Sequence, residues 1–309
     1  MFGPECCIII FMSSSIKLKA CAKLNLRLEV LGKRPDGYHD LWSVFHLVTL
    51  CDELEFQPLE NGRIVLSCND GHLPVNEKNL AVKAARLLQR SFGSKEKGGS
   101  QDDWLPGAKI TLTKNIPVGA GLGGGSSDAA AALQGLAELW GLELSGPEFH
   151  DLALELGSDV PFFLTGGTAL VTGRGENIKP LDWKQTCHFV IVYPGFGVST
   201  AWAYKNLKIP LTKGPGFSKI INYDLSLGPD HGWWSGFLHN DLEKAVIPSH
   251  PQIDQIKQRL VQSGALGALM SGSGSSVFGI FPNAEAARQA ASDLKKTWPC
   301  CFYASSRKS

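Results

Sequence analysis

The sequence of 309 residues is predicted to form a folded α+β protein of two domains, on one observation for each part of this prediction. Strand-like and helix-like segments mix along the chain without the strict β-α-β alternation of a doubly wound sheet. Hydrophobic residues make up 43% of the chain and charged residues 19%, which indicates a folded core and excludes a disordered chain. The composition changes near residues 175–185, so we expect two domains, at 15–180 and 181–309, after an N-terminal extension without function at 1–14.

Apolar periodicity defines the elements in the first third of the chain. Strands are predicted at 16–30, 43–56, 63–68 and 109–114. Asn76 is a candidate N-cap for a helix over 77–90, whose apolar residues share one face and which ends before Gly93. The polar, glycine-rich residues 93–107 predict an exposed loop.

Helical patterns are more frequent in the rest of the chain. An alanine-rich helix is predicted over 128–140, and Pro147 opens another helix that ends before Gly157. The remaining predicted elements are strands at 168–172, 188–193 and 276–281 and helices at 251–262 and 284–297. Residues 212–234 lose all periodicity, which predicts a long irregular connection.

The charge balance and the cysteines exclude several functional classes. Thirty Lys and Arg residues against 29 Asp and Glu residues leave a net charge of +1, without the basic footprint of a nucleic-acid-binding protein. No apolar run reaches the roughly 18 residues of a membrane span. The 8 cysteines include no C-x-x-C pair. We therefore expect no zinc site and no disulfide framework, but free thiols in a reducing compartment. The sequence leaves the oligomeric state open.

The strongest chemical signal is the segment 117–128, PVGAGLGGGSSD. Its glycines leave backbone amides unshielded, and it leads into a helix whose first amides carry partial positive charge, so it suits a phosphate group. The hydroxyls of Ser126 and Ser127 are placed to reach a phosphate or a metal ion, whereas Asp128 has the simpler role of favouring the helix N-terminus. The predicted nucleotide-phosphate site consists of Pro117, Val118, Gly119, Ala120, Gly121, Leu122, Gly123, Gly124, Gly125, Ser126 and Ser127.

Other interpretations of this glycine-rich segment stay open on the residues alone. The lysine of a Walker A motif is missing. Gly119, Gly121 and Gly124 satisfy the G-x-G-x-x-G spacing, so an NAD-dependent dehydrogenase is one alternative. A nucleotide-binding module without catalytic activity is another, and a tightly packed turn is the simplest.

Four further motifs, taken with this segment, resemble one enzyme superfamily. They are AKLN at 22–25, KRPDGYH at 33–39, GSDVPFF at 157–163 and GRGE at 173–176. Over about residues 16–304, their order resembles the GHMP kinases, which include galactokinase, homoserine kinase and mevalonate kinase. RPDGYH resembles the branch that phosphorylates a cytidine-diphosphate-linked methylerythritol. Cys21 departs from the pattern, which usually has proline there, and we expect this change to affect stability more than chemistry.

The resemblance implies both a fold and a reaction. The fold is the two-domain GHMP kinase fold, with an N-terminal domain like domain 2 of ribosomal protein S5 and a ferredoxin-like C-terminal domain. The reaction is the ATP- and Mg²⁺-dependent phosphorylation of the 2-hydroxyl of the methylerythritol unit, in the non-mevalonate pathway of isoprenoid biosynthesis. The expected partner is this small-molecule substrate, with neither nucleic acid nor membrane. The expected location is a bacterial cytoplasm rather than a plastid.

The resemblance also implies catalytic roles. Asp159 is expected to be the base that takes the proton of the substrate hydroxyl, with Lys23 as its ion-pair partner. Asn25 is expected to hold the erythritol hydroxyls. No side chain is predicted with confidence to bind the metal ion.

The cytosine ring is expected at an aromatic group. Tyr38 and Tyr204 would enclose the ring by stacking, and His39 would form hydrogen bonds with its edge. Asp36 has the simpler role of shaping the turn before Gly37. A related kinase that acts on mevalonate, homoserine or a sugar is the alternative, which the RPDGYH motif disfavours.

Overall fold

The computed structural model describes residues 15–60, 62–93, 106–208 and 233–307. The predicted extension at 1–14 lies outside the described residues, as do most of the 93–107 loop and nearly all of the 212–234 connection. None of the helices within the described ranges combines the length and the apolar character that crossing a membrane requires.

One layer of the structure is a sheet of seven strands. They are β1 (Ile16–Lys33), β2 (His39–Leu59), β3 (Ile64–Cys68), β4 (Gly107–Thr113), β5 (Thr168–Gly173), β6 (Asn177–Leu181) and β8 (His239–Asn240). β1 and β2 form a long antiparallel pair, and only β3 with β4 and β1 with β8 pair in parallel among the described strands. β1 and β2 are longer than predicted, so the RPDGYH motif forms their connecting turn, where Gly37 has a φ of 87°.

In the chain, four helices lie between β3 and β5. They are α1 (Leu80–Phe92), α2 (Gly124–Leu139), α3 (Gly146–Leu156) and α4 (Val160–Thr165). The alanine-rich α2 packs closely on the sheet, because a Cβ at Gly135 would lie 2.4 Å from the ring of Phe56. α3 begins with a capping box at Ser145 and Glu148 and ends at Gly157, as predicted for the helix opened by Pro147.

The predicted start of α1 was wrong. The N-cap is Asn79, whose side chain accepts a hydrogen bond from the backbone N–H of Ala81. Asn76 instead forms a turn, since its side chain accepts from the N–H of Lys78 and its carbonyl accepts from that of Asn79. Both asparagines suit a cap, and only the tertiary structure selects between them.

The predicted start of α2 was also wrong, because the helix begins at Gly124 rather than at residue 128. The glycines and serines of this turn have low helix propensity, and the local sequence therefore favoured a loop. In the additional turn, the hydroxyl of Ser127 donates to the carbonyl of Cys21 in β1 at 2.8 Å. Its N-cap is Gly123, in the left-handed conformation at φ 71°.

The second layer is an antiparallel sheet of four strands. They are β7 (His188–Val192), β9 (Gly267–Met270), β10 (Val277–Phe281) and β11 (Cys301–Ser305), in the order β11-β7-β10-β9. The described helices after β7 are α5 (Thr200–Asn206), α6 (Trp233–Phe237), α7 (Glu243–Val246), α8 (Gln252–Gln262) and α9 (Ala284–Leu294). With α8 between β7 and β9 and α9 between β10 and β11, this layer has the predicted ferredoxin-like arrangement.

The antiparallel pairing confirms the α+β prediction and contradicts the dehydrogenase alternative, which requires a doubly wound parallel sheet. Apart from β8, which returns to the first sheet, the change from the first sheet to the second falls between Leu181 and His188. The domain limits at 15–180 and 181–309 stay a prediction.

The expectation that all cysteines are free thiols was wrong. Cys21 and Cys51 face each other in the β1–β2 pair, with their Cα atoms 3.9 Å apart, and form a disulfide. Directly opposed residues of antiparallel strands bring their side chains together, but the sequence does not show the register that pairs them. The other described cysteines are free, namely Cys68, Cys187, Cys300 and Cys301.

Candidate active site

A cavity of about 1000 Å³ brings the predicted site residues together. Its wall includes residues 117–126 of the glycine-rich segment. The other predicted residues that line it are Lys23, Asn25, Tyr38, His39, Asp159 and Tyr204. Of the predicted site, Ser127 alone does not line this cavity.

The glycine-rich segment reaches the cavity with three glycines at positive φ, and two of them also lack room for a side chain. Gly121 has a φ of 78°, and a Cβ there would lie 2.1 Å from the carbonyl oxygen of Ser271. Gly123 has a φ of 71°, and its Cβ would lie 2.7 Å from the ring of Phe163 and 3.1 Å from Cγ of Lys23. The N-terminus of α2 therefore opens towards the cavity beside Lys23, where its free amides can bind an anion.

A loop of the second sheet holds the glycine-rich segment in place. The hydroxyl of Ser271 donates to the carbonyl of Gly121 at 3.0 Å, and the N–H of Ser276 donates to that of Ala120 at 3.1 Å. Asn240 in turn donates to the carbonyl groups of Met270 and Gly272, each at 2.8 Å. The SGSGSS motif at 271–276 thus supports the glycine-rich segment, a role that the sequence did not indicate.

Lys23 and Asp159 form an ion pair inside the cavity. The Lys23 Nζ lies 4.0 Å from Oδ2 of Asp159, donates to the side-chain oxygen of Asn25 and sits 4.5 Å from the ring centroid of Phe45. Burial lowers the pKa of Lys23, and the charge of Asp159 opposes this effect. The Asp159 side chain is 37% exposed, so its carboxylate can meet a ligand in the cavity.

Local structure places these two charged groups. Asp159 stands at the start of α4, directly before Val160 and Pro161, and a Cβ at Gly175 would lie 3.3 Å from its Oδ1. Lys23 follows an irregularity in the β1–β2 pairing after Cys21, and its backbone N–H donates to Leu122 of the glycine-rich segment at 2.9 Å. This hydrogen bond ties the lysine to the glycine-rich segment.

The aromatic residues lie together but differ in arrangement from the expected pair of tyrosines. His39 stacks on Tyr204, with ring centroids 5.1 Å apart and an interplanar angle of 24°. Tyr38 is 56% exposed and has the guanidinium carbon of Arg174 5.1 Å from its ring centroid. The ring that faces Tyr204 is therefore His39, and a base would have to use the other face of Tyr204. Burial, followed by the charge of Asp159, raises the pKa of Tyr204.

The contacts of Ser127 and Asp128 do not fit the roles that the sequence predicted for them. The Ser127 hydroxyl donates to the carbonyl of Cys21 at 2.8 Å and is buried, so it does not reach a ligand in the cavity. Asp128 lies within α2 rather than at its N-terminus, and its Oδ2 accepts from Nζ of Lys114 at 2.9 Å. Lys114 also donates to Asp52. Burial raises the pKa of Asp128 to about 7, against the opposing charge of Lys114.

Two family models match the chain. Residues 79–167 match the GHMP kinases N terminal domain, and residues 225–300 match the GHMP kinases C terminal. The curated 4-diphosphocytidyl-2-C-methyl-D-erythritol kinase of Acaryochloris marina is 41% identical, over 91% of this chain and 92% of its own length. The chain belongs to the GHMP kinase family. A GHMP kinase uses ATP as its phosphate donor.

Other relatives carry the same description. The 4-diphosphocytidyl-2-C-methyl-D-erythritol kinase of Pelotomaculum thermopropionicum is 44% identical, over 90% of this chain and 93% of that protein. A crystal structure of a 4-(cytidine 5'-diphospho)-2C-methyl-D-erythritol kinase has a TM-score of 0.75 at 32% identity, over 95% of this chain and 100% of that one. The homoserine kinase of Cytophaga hutchinsonii, at 22% identity and a TM-score of 0.72, shows a shared fold.

Proposed function

We propose that this GHMP kinase transfers the γ-phosphate of ATP to the 2-hydroxyl of 4-diphosphocytidyl-2-C-methyl-D-erythritol, giving the 2-phosphate and ADP, in the non-mevalonate pathway. The observation that carries the proposal is the ion pair of the buried Lys23 with Asp159, which faces the same cavity as the N-terminus of α2 and the RPDGYH turn. The relatives named above support the choice of substrate.

Asp159 takes the proton of the acceptor hydroxyl in this proposal. The hydroxyl oxygen then bonds to the γ-phosphorus of ATP while the bond from that phosphorus to the bridging oxygen breaks, and ADP leaves. Lys23 forms the ion pair with Asp159 and offers a positive charge to the reacting oxygen. Asn25 fixes the lysine, because its own amide donates to Ser43 at 3.0 Å while its oxygen accepts from Nζ.

The N-terminus of α2 binds the phosphates of ATP through backbone amides. Mg²⁺ supplies neutralisation of the phosphate charge when it is bound. Among the described residues, no group of three or more His, Cys, Asp or Glu side chains forms a metal site. The cavity nevertheless offers the hard oxygen donors that Mg²⁺ prefers, in the Asp159 carboxylate and the Ser126 hydroxyl. One or two such donors fit a metal ion that is held mainly by substrate phosphates.

The aromatic end of the cavity binds the cytosine ring in this proposal. Tyr38 offers an exposed ring, and Tyr204 lines the cavity beside His39. Burial, with a further contribution from Lys33, lowers the pKa of His39, so a neutral imidazole can donate to and accept from the edge of the base. We infer a cytoplasmic location in a bacterium, because the curated relatives are bacterial proteins.

The direct test is to incubate the protein with ATP, Mg²⁺ and the cytidyl substrate, and to follow the phosphorylated product by ³¹P NMR. We expect Asp159→Asn to lose at least about 100-fold in turnover, the scale of a removed general base, while the cytidyl substrate still binds. Asp151→Asn is the matched control, since that carboxylate is 85% exposed on α3. Full activity of Asp159→Asn would remove the base from the mechanism. Preferred phosphorylation of mevalonate, homoserine or a sugar would contradict the proposed substrate.

A further inference from the structure

Arg174 carries a positive charge at the wall of the cavity, and this charge acts on Asp36 without a salt bridge to it. Its guanidinium lies over the ring of Tyr38, and the side chain is half-buried. No salt bridge within 4.0 Å joins it to a carboxylate in the part of the chain that the structure describes. The neighbouring Arg34, by contrast, is held by Asp36 at 3.1 Å and by Asp40 at 2.8 Å.

The turn between β5 and β6 fixes the position of Arg174. Gly173, with a φ of 73°, and Gly175, with a φ of 125°, flank it, and its backbone N–H donates to the carboxylate of Glu176. The Glu176 carboxylate therefore accepts a hydrogen bond from the backbone of Arg174 rather than from its guanidinium. Gly175 lies against Asp159, and consecutive Cα atoms are only about 3.8 Å apart. The turn thus joins the proposed base to the aromatic end of the cavity.

The proposed substrate has a diphosphate between its two recognised parts. If the cytosine binds at Tyr38 and the acceptor hydroxyl meets Asp159, the diphosphate has to pass the turn that carries Arg174. A guanidinium suits this task, because it forms paired hydrogen bonds with phosphate oxygens and stacks on an aromatic face at the same time. Lys33 and Lys205 also line the cavity, but both are exposed and neither packs on an aromatic ring in the described contacts.

We propose that Arg174 is the residue that binds the diphosphate of the acceptor substrate, at a position separate from the ATP phosphates on the N-terminus of α2. The inference rests on the proposed function, since it assigns one further part of the same substrate. It also accounts for the GRGE motif at 173–176, to which sequence reasoning assigned no role. The glycines allow the turn, and the arginine supplies the charge.

The test compares the binding of cytidine, CMP and CDP to wild type, Arg174→Met and Arg174→Lys, with a non-hydrolysable ATP analogue present to fill the nucleotide loop. Wild type should bind CDP more tightly than cytidine. Arg174→Met should weaken CDP binding about 10- to 100-fold, the range of a charge-assisted hydrogen bond, and leave cytidine binding unchanged. Arg174→Lys should recover part of the loss. In turnover, KM for the cytidyl substrate should rise while KM for ATP stays constant.

Arg288→Met is the matched control. Its guanidinium carbon lies 4.8 Å from the ring centroid of Tyr303, which is the same kind of contact outside the cavity, so its CDP binding should equal that of wild type. Unchanged CDP binding by Arg174→Met would overturn the inference. So would an equal loss for cytidine and CDP, because Arg174 would then act only by holding Tyr38. Wild type that binds neither cytidine nor CDP would overturn the proposed cytidyl substrate itself, and the inference with it.

Discussion

Gly123→Ala tests whether activity depends on the close approach of the glycine-rich segment to Lys23. An alanine there would occupy the left-handed region, at a cost of about 1–2 kcal/mol. Its Cβ would also lie 2.7 Å from the Phe163 ring and 3.1 Å from Cγ of Lys23. Relief of these contacts moves the loop or the lysine by a fraction of an ångström to an ångström, and a displacement of that size lowers catalysis by up to about 100-fold. We expect turnover to fall at least about tenfold, which corresponds to about 1.4 kcal/mol in the barrier.

Alanine substitutions at two other glycines separate the effect of backbone strain from the effect of close contact with Phe163 and Lys23. Gly141→Ala has the same backbone strain, at φ 66°, but its Cβ meets no atom within 4 Å. Gly125→Ala lies in the same loop without a positive φ, and its Cβ meets only Leu80, at 3.7 Å. Turnover should be measured from ADP release at saturating substrates, and the free energy of unfolding from urea titration. If Gly123→Ala keeps turnover within about twofold of Gly141→Ala at equal loss of stability, the argument from close approach is wrong.

Three further predictions concern stability and binding. Since the pKa of Asp128 is about 7 in the folded chain against 3.8 for a free carboxyl, the folded state retains a proton that the unfolded state loses, and stability falls as the pH rises between these values. Asp128→Asn should remove this fall in urea unfolding at about pH 5 and about pH 8, and a persistent fall would exclude Asp128 as its source. Reduction of the Cys21–Cys51 disulfide, which spans 30 residues, should lower the free energy of unfolding by about 3 kcal/mol. A thiol count that reductant leaves unchanged would contradict the pairing. Tyr38→Ala should raise KM for the cytidyl substrate with little change in turnover, and an unchanged KM would remove its stacking role.

The sequence predicted those features that depend on residues close together along the chain. Strand alternation and helical periodicity are local, so β4 and α3 were predicted nearly to their ends. The starts of α1 and α2 were misplaced, because Asn76 and Asn79 are equivalent as caps in isolation and glycine-rich helix turns form only when packed. The order of the motifs resembles the GHMP kinases, and this resemblance predicted the two-domain fold.

In the candidate site too, the sequence predicted the local features and missed those that depend on tertiary packing. The residue types at Lys23, Asp159 and the glycine-rich segment predicted phosphate chemistry from their sequence motifs. The hydroxyl of Ser127 was assigned to ATP, yet it bonds to a strand carbonyl, since the side of the helix that a residue faces depends on how the helix docks. The support of the loop by Ser271 had no local signal, because the two residues that it joins are far apart along the chain.

The sequence by itself determined the α+β class, the family resemblance and most of the residues that line the cavity. Only the tertiary structure decided that Cys21 lies opposite Cys51, that His39 rather than Tyr38 faces Tyr204, and that Arg174 lines the cavity with its guanidinium over Tyr38. The physical reason is that motif chemistry belongs to single residues and short segments. Strand register, ring contacts and charge pairing depend on atoms that folding brings together from distant parts of the chain.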